Sequence, residues 1–211
     1  MRTLIAAGTV ADGLVRKLIT EKKGELMKRF PSFFSDPERL PVRMLNEDVW
    51  RTESGEIAKI LAAVREIEPA FTDADREGLT ELLRERAATR RTYAPMVRDP
   101  HRTVLIRPGA DGFFAALWHL CELTGSGCDS DIKKIPVCQE TVEICEYFDL
   151  DPYTAPCGNM LLIAAADGSR MLYELGRRGH SVTQIGVLTG GRGRLLRYAG
   201  HTRFLDNPDR R

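Results

Sequence analysis

Apolar positions in this chain follow two rhythms. Residues 3–8 (TLIAAG) form a short continuous apolar run closed by glycine, the pattern of a buried strand. Leu14, Val15, Leu18, Ile19, Leu26 and Met27 then recur at helical spacing as far as Pro31. PSFFSDPERLP (31–41) is punctuated by prolines and reads as a loop. Ile57, Ile60, Leu61, Val64 and Ile67 predict a second amphipathic helix, ended by Pro69. Thr72 with Asp75 resembles a capping box and opens a third, arginine-rich helix to about Arg91. Its apolar stripe is thin (Leu79, Leu82, Leu83), which places it on the surface.

The second half is more strongly patterned. Thr103 to Ile106 predicts a strand and RPGADG (107–112) a turn, followed by a helix with Phe113, Phe114, Ala116, Leu117, Leu120 and Cys121 on its apolar face. Another helix follows Pro136 and ends before Asp151-Pro152. MLLIAA (160–165) has the length and apolarity of a buried strand. A short helix then ends at Gly179, and residues 181–205 give a strand, a glycine-rich turn and one or two further strands. The order of elements predicts an α+β fold, with helices packed on a mixed β-sheet.

Composition narrows the function classes only a little. A chain of 211 residues with 43% hydrophobic content can bury one sizeable core, and a net charge of +1 names no partner. No apolar run approaches the roughly 18 residues of a membrane span. MRTLIAAGTVADG lacks the apolar core of a signal peptide, so a cytoplasmic protein without membrane attachment is expected. Charge is unevenly placed: Cys121 to Asp151 holds eight acids against two lysines, and Arg170 to Arg211 nine arginines against three acids. Such poles can pair with each other, with a second copy or with separate partners.

The candidate chemistry is sparse. Five cysteines spaced C-x6-C-x9-C-x6-C-x11-C contain no CxxC pair, so no metal site is predicted. With 138–145 read as helical, Cys138 and Cys145 share a face about 10 Å apart, beyond the roughly 7 Å Cα separation of a disulfide. Cys157, in the loop PCGN, is the candidate reactive thiol. The four histidines are scattered, and no catalytic residue is assigned. TGGRGR (189–194) reads as a hairpin turn, with a phosphate cradle as the alternative. The arginine-rich end has few interleaved aromatics, and nucleic-acid binding is not expected.

Three segments together carry a resemblance: DGFFAALWHLCELTGSGCDSDIKKIPVCQETVEICEYFDLDPY (111–153), GNMLLIAA (158–165) and SVTQIGVLTGGRGRLLRYAG (181–200). In order and spacing they resemble the C-terminal domain of the AIR synthase-related proteins, and within these the bacterial hydrogenase maturation factors of the HypE type. TLIAAGTVADGLVRKLI (3–19) resembles the opening of the same domain more loosely. The resemblance implies one such domain over residues 1–211, with 36–102 as a helical insertion that matches poorly. It also implies that the N-terminal domain, which carries most of the ATP site and the dimer contacts, is not part of this stretch.

What the resemblance implies for function follows from the residues retained. Where the family has a His-Asp-Pro-Thr-Glu-Gly-Gly-like turn, this chain reads Ile106-Arg107-Pro108-Gly109-Ala110-Asp111-Gly112. Arg107, Gly109, Asp111 and Gly112 are then the candidate nucleotide- or phosphate-binding residues, while the polar groups that would hold Mg²⁺ are changed. The chain ends Asn207-Pro208-Asp209-Arg210-Arg211, without the carbamoyl-accepting cysteine of full-length maturation factors. The expectation is an accessory or binding protein without ATP-dependent catalysis of its own. ATP and Mg²⁺ enter only if a partner supplies the ATP-binding domain, which is the split-enzyme alternative. A hydrogenase maturation protein is a second candidate partner, and a homo-oligomer held by 36–102 a third arrangement. A thiol-based ligand or metal delivery module, using Cys157 or the Cys121/Cys128 pair, is the remaining alternative.

Overall fold

Continuous burial along the central strands shows that the sheet is covered on both faces. In the computed structural model, residues 1–45, 47–73, 99 and 101–208 are described. Eight strands are paired in one sheet: β1 (Thr3–Gly8), β2 (Thr72–Asp73), β3 (Val104–Ile106), β4 (Gly127–Asp131), β5 (Met160–Ala165), β6 (Val182–Thr189), β7 (Arg194–Tyr198) and β8 (His201–Phe204). Their order is β2-β3-β5-β1-β6-β4-β7-β8. The pairs β2/β3 and β4/β7 are parallel and the others antiparallel, so the sheet is mixed.

The described helices are α1 (Asp12–Glu21), α2 (Lys23–Arg29), α3 (Pro31–Phe34), α4 (Leu40–Leu45), α5 (Glu47–Ile67), α6 (Gly112–Thr124), α7 (Gln139–Tyr147) and α8 (Gly168–Arg177). Side chains alternate across a strand, so Leu4, Ala6, Val104, Ile106, Leu162 and Ala164 share a core with Phe113, Leu117 and Leu120 of α6. Ile5, Ala7, Leu105, Leu161, Ile163 and Ala165 meet α5 and α8 on the other face. These central strands are therefore apolar on both sides, and each fully buried side chain contributes roughly 1.5–3 kcal/mol. A third cluster joins α1–α4 to Ile144 and Phe148 at α7. The architecture is α+β, with helices on a mixed sheet.

The long first helix expected over 14–27 is two, α1 and α2, separated at Lys22 in a non-helical conformation. The 31–41 stretch is not all loop: Pro31 starts α3, where its missing N–H costs nothing, and α4 begins at Leu40. Ile57, Ile60, Leu61, Val64 and Ile67 are buried as the spacing predicts, although α5 starts ten residues earlier, at Glu47. Residues 57–67 of the stretch read as an insertion thus line the core beside β1 and β5. The arginine-rich helix expected from the Thr72/Asp75 box lies outside the described residues.

The glycine-rich turn after β6 is not a hairpin. β4, which no apolar pattern announces, lies between β6 and β7 and pairs with both. The 190–193 loop crosses the start of β4, where the Cys128 N–H donates to the Gly193 carbonyl at 3.0 Å. A Cβ on Gly127 would stand 2.1 Å from that carbonyl oxygen, so only glycine allows the crossing.

Candidate functional site

Three loops converge at one end of the sheet because β1 and β3 both run antiparallel to β5. They are the β1–α1 loop (9–11), the β3–α6 loop (107–111) and the segment leading into β5 (152–159). Two helices, α1 and α6, begin here, and helix N-termini carry free N–H groups and partial positive charge. That combination is the ordinary starting point for binding a phosphate.

In this chain the N–H groups are turned inward. Asp12, in the first turn of α1, is only 4% exposed. Its carboxyl group accepts from the Gly158 N–H at 2.7 Å and the Asn159 N–H at 2.8 Å. Burial raises its pKa, and these hydrogen bonds only partly oppose the shift. The Leu14 N–H donates to the Pro156 carbonyl and the Phe114 N–H to the Tyr153 carbonyl. Asp12 is thus a built-in acceptor that joins the head of α1 to the approach of β5. The sequence offers no signal of that role, because its partners are backbone groups 146 and 147 residues away.

Cys157 sits between the two helix N-termini. Its sulfur accepts from the Ala11 N–H at 3.3 Å, while its own thiol donates to the Ala155 carbonyl. Burial pushes the pKa up to about 12, with the Asp12 charge adding to the rise. The resting group is therefore the thiol and not the nucleophilic thiolate. Cys145 is likewise pushed up to about 11 by burial and by Asp151. Cys138 caps α7 in an extended conformation rather than lying within it.

The loop residues singled out in the sequence divide between exposed and structural positions. Arg107 and Asp111 are exposed. The Gly109 carbonyl accepts from the N–H groups of Cys157, at 3.1 Å, and Gly112, at 3.4 Å. Gly112 has φ +79°, and a Cβ there would lie 2.5 Å from the Thr154 carbonyl carbon. Asp111 lines a recess of about 40 Å³ with Phe114, Asp151, Thr154, Arg203 and Asp206. The Arg203 guanidinium lies 5.4 Å from the Phe114 ring centroid, and Tyr153 stacks on the same ring. Among the described residues, no three His, Cys, Asp or Glu side chains are grouped to hold a metal ion. No described helix is long and apolar enough to cross a membrane.

The two charge poles meet within the molecule. Arg197 makes a bidentate pair with Asp129, at 2.6 and 2.5 Å, across the β4/β7 boundary. Arg194 reaches Glu122 at 3.3 Å. α7 is docked by Arg39 on Glu140 at 3.2 Å and by Tyr147 Oη donating to Glu25 at 2.9 Å. That helix is consequently a packing element, and Cys145 is the one cysteine within it.

No protein-family model matches the chain. No curated protein matches it either. Among solved structures, the hydrogenase maturation protein HypE of E. coli superposes with a TM-score of 0.58 at 16% identity, over 97% of this chain and 49% of that one. A chain of a HypE–HypF complex gives 0.56 at 15% identity, over 98% and 52%. A further HypE structure gives 0.51 at 15% identity, over 97% and 52%. The chain therefore shares the fold of these HypE structures over nearly all of its own length and spans about half of theirs.

Proposed function

We propose that this chain is an accessory, protein-binding module of HypE-like fold that does not carry out ATP-dependent chemistry by itself. The observation that carries this reading is the inward use of N–H groups at the convergent loops. The Asp12 carboxylate, the Cys157 sulfur and the 153–156 carbonyls take the donors with which helix N-termini bind phosphate. An incoming phosphate would have to displace the buried Asp12 carboxyl group from these N–H groups. The solved HypE–HypF complex supports a protein as the partner class, since a chain of this fold is found there in an assembly.

A second reading is favoured by the exposure of Arg107 and Asp111 on the rim of the same end. In it, another domain outside residues 1–211 supplies the nucleotide contacts, and these two side chains complete the site from the near side. Thermal unfolding separates the two readings. Mg-ATP is expected to leave the melting temperature of the chain unchanged. A rise with Mg-ATP alone contradicts the accessory reading. A rise only after addition of a HypE N-terminal domain supports the split-enzyme reading.

A further inference from the structure

β8 is the outer strand of the sheet, and among the described residues no strand pairs with its far edge. The opposite edge, β2, has only two residues, which leaves little for another chain to pair with. All four residues of β8 are exposed. The strand returns from β7 through Ala199 and Gly200, whose φ values of 49° and 83° make the tight turn of a two-residue hairpin. The Leu205 N–H donates to the Arg194 carbonyl at 2.8 Å, so alternation along the register turns the backbone groups of Arg203 and His201 toward β7 as well. The N–H and C=O groups of Thr202 and Phe204 therefore face outward. Side chains alternate too. Arg203 stands on the α6 face, 5.4 Å from the Phe114 ring centroid, while Phe204 opposes Leu195 on the other face and is 71% exposed. Among the described residues Arg203 makes no ion pair, although Asp111 and Asp206 share its recess.

We propose that the free edge of β8 docks an extended segment of a partner protein, which joins the sheet as an antiparallel ninth strand. This inference rests on the proposed protein-binding role and names the surface and the kind of partner. Main-chain hydrogen bonds to Thr202 and Phe204 supply the attraction, and alternate side chains select the segment. The partner residue opposite Arg203 lies on the α6 face and is acidic, because the guanidinium there has no carboxylate of its own. Its two neighbours lie on the other face, beside Phe204 and Thr202, and are apolar. The segment thus reads apolar–acidic–apolar. A second copy of the chain fits this edge less well. With Thr202 paired to Phe204 across a two-fold axis, the two copies of Arg203 would face each other, and like charges directly opposite are destabilising. An edge of four residues also offers far less than the roughly 1,000 Å² of a stable interface between copies.

The test is selection of random twelve-residue peptides, displayed on phage, against the full chain. The expected consensus places Asp or Glu between two apolar residues. Amide hydrogen exchange of wild type with a selected peptide bound is expected to show new protection at Thr202 and Phe204. Arg203→Glu is expected to weaken that peptide about 10-fold, and a peptide with Lys in place of the acid to recover the loss. Thr202→Pro removes an outward donor while leaving the β7 ladder whole, and is expected to weaken binding about 3- to 10-fold. No enriched peptide, a consensus without the acid, protection away from β8, or equal affinity for Arg203→Glu each overturns the proposal. Protection away from β8 would leave the protein-binding role standing, whereas a melting temperature raised by Mg-ATP would contradict the accessory role and leave the peptide result as it is.

Discussion

The Asp12 carboxylate and the Gly158 N–H are joined at 2.7 Å, and this bond ties the start of α1 to the entry of β5. One buried carboxylate thereby fixes the end of the sheet where three loops meet, and it does so with groups that would otherwise face a ligand. The molecule's resting chemistry follows from that contact more than from any exposed side chain.

Replacing Asp12 removes the acceptor for two N–H groups, those of Gly158 and Asn159, in a buried setting. Asp12→Ala is expected to destabilise the fold by about 2–4 kcal/mol, read from urea unfolding. A loss under about 0.5 kcal/mol would show that the loops hold without it.

The pH dependence at Asp12 has a defined sign. Its folded pKa is raised, so the stability it contributes is fully present below the unfolded value of about 3.9 and declines as pH rises through the folded value. The difference in unfolding free energy between wild type and Asp12→Asn is therefore expected to move against wild type from pH 3.5 to 7. Movement in the other direction would mean that the hydrogen bonds outweigh burial.

Cys157 is expected to resist alkylation by iodoacetamide at pH 8 in the folded protein and to react once unfolded, as followed by mass spectrometry. Because its folded pKa of about 12 and that of Cys145, about 11, lie above the usual thiol value, folding stability is expected to fall as pH climbs from about 9. Rapid modification of folded protein at Cys157 would instead mark it as a reactive thiol.

Gly127→Ala is expected to cost about 2–4 kcal/mol, because its Cβ would meet the Gly193 carbonyl at 2.1 Å. Gly190→Ala in the same connection meets nothing within 4 Å and is expected to change stability by under about 1 kcal/mol. Equal denaturation midpoints for the two variants would contradict the crossing of β6 to β7 over β4.

The elements legible in the sequence are those whose burial is continuous or helical. TLIAAG and MLLIAA lie at the sheet centre, apolar on both faces, and could hardly be read otherwise. α6 shows the same clarity through Phe113, Leu117 and Leu120. β4 was hidden because GCDSD has one strongly apolar side chain, and its strand state comes from neighbours far along the chain. With β4 unseen, the β6–β7 connection was bound to look like a hairpin. The site divides in the same way. Arg107, Gly109, Asp111 and Gly112 stand out locally, whereas the role of Asp12 exists only through tertiary pairing with Gly158 and Asn159.

The most direct measurement of the central claim is isothermal titration of Mg-ATP into purified residues 1–211. The convergent loops, with their donors already engaged by Asp12, Cys157 and the 153–156 carbonyls, predict no saturable heat, corresponding to a Kd weaker than about 1 mM. A one-site isotherm in the micromolar range would contradict the account, because it would require the chain alone to present the phosphate-binding groups that it turns inward.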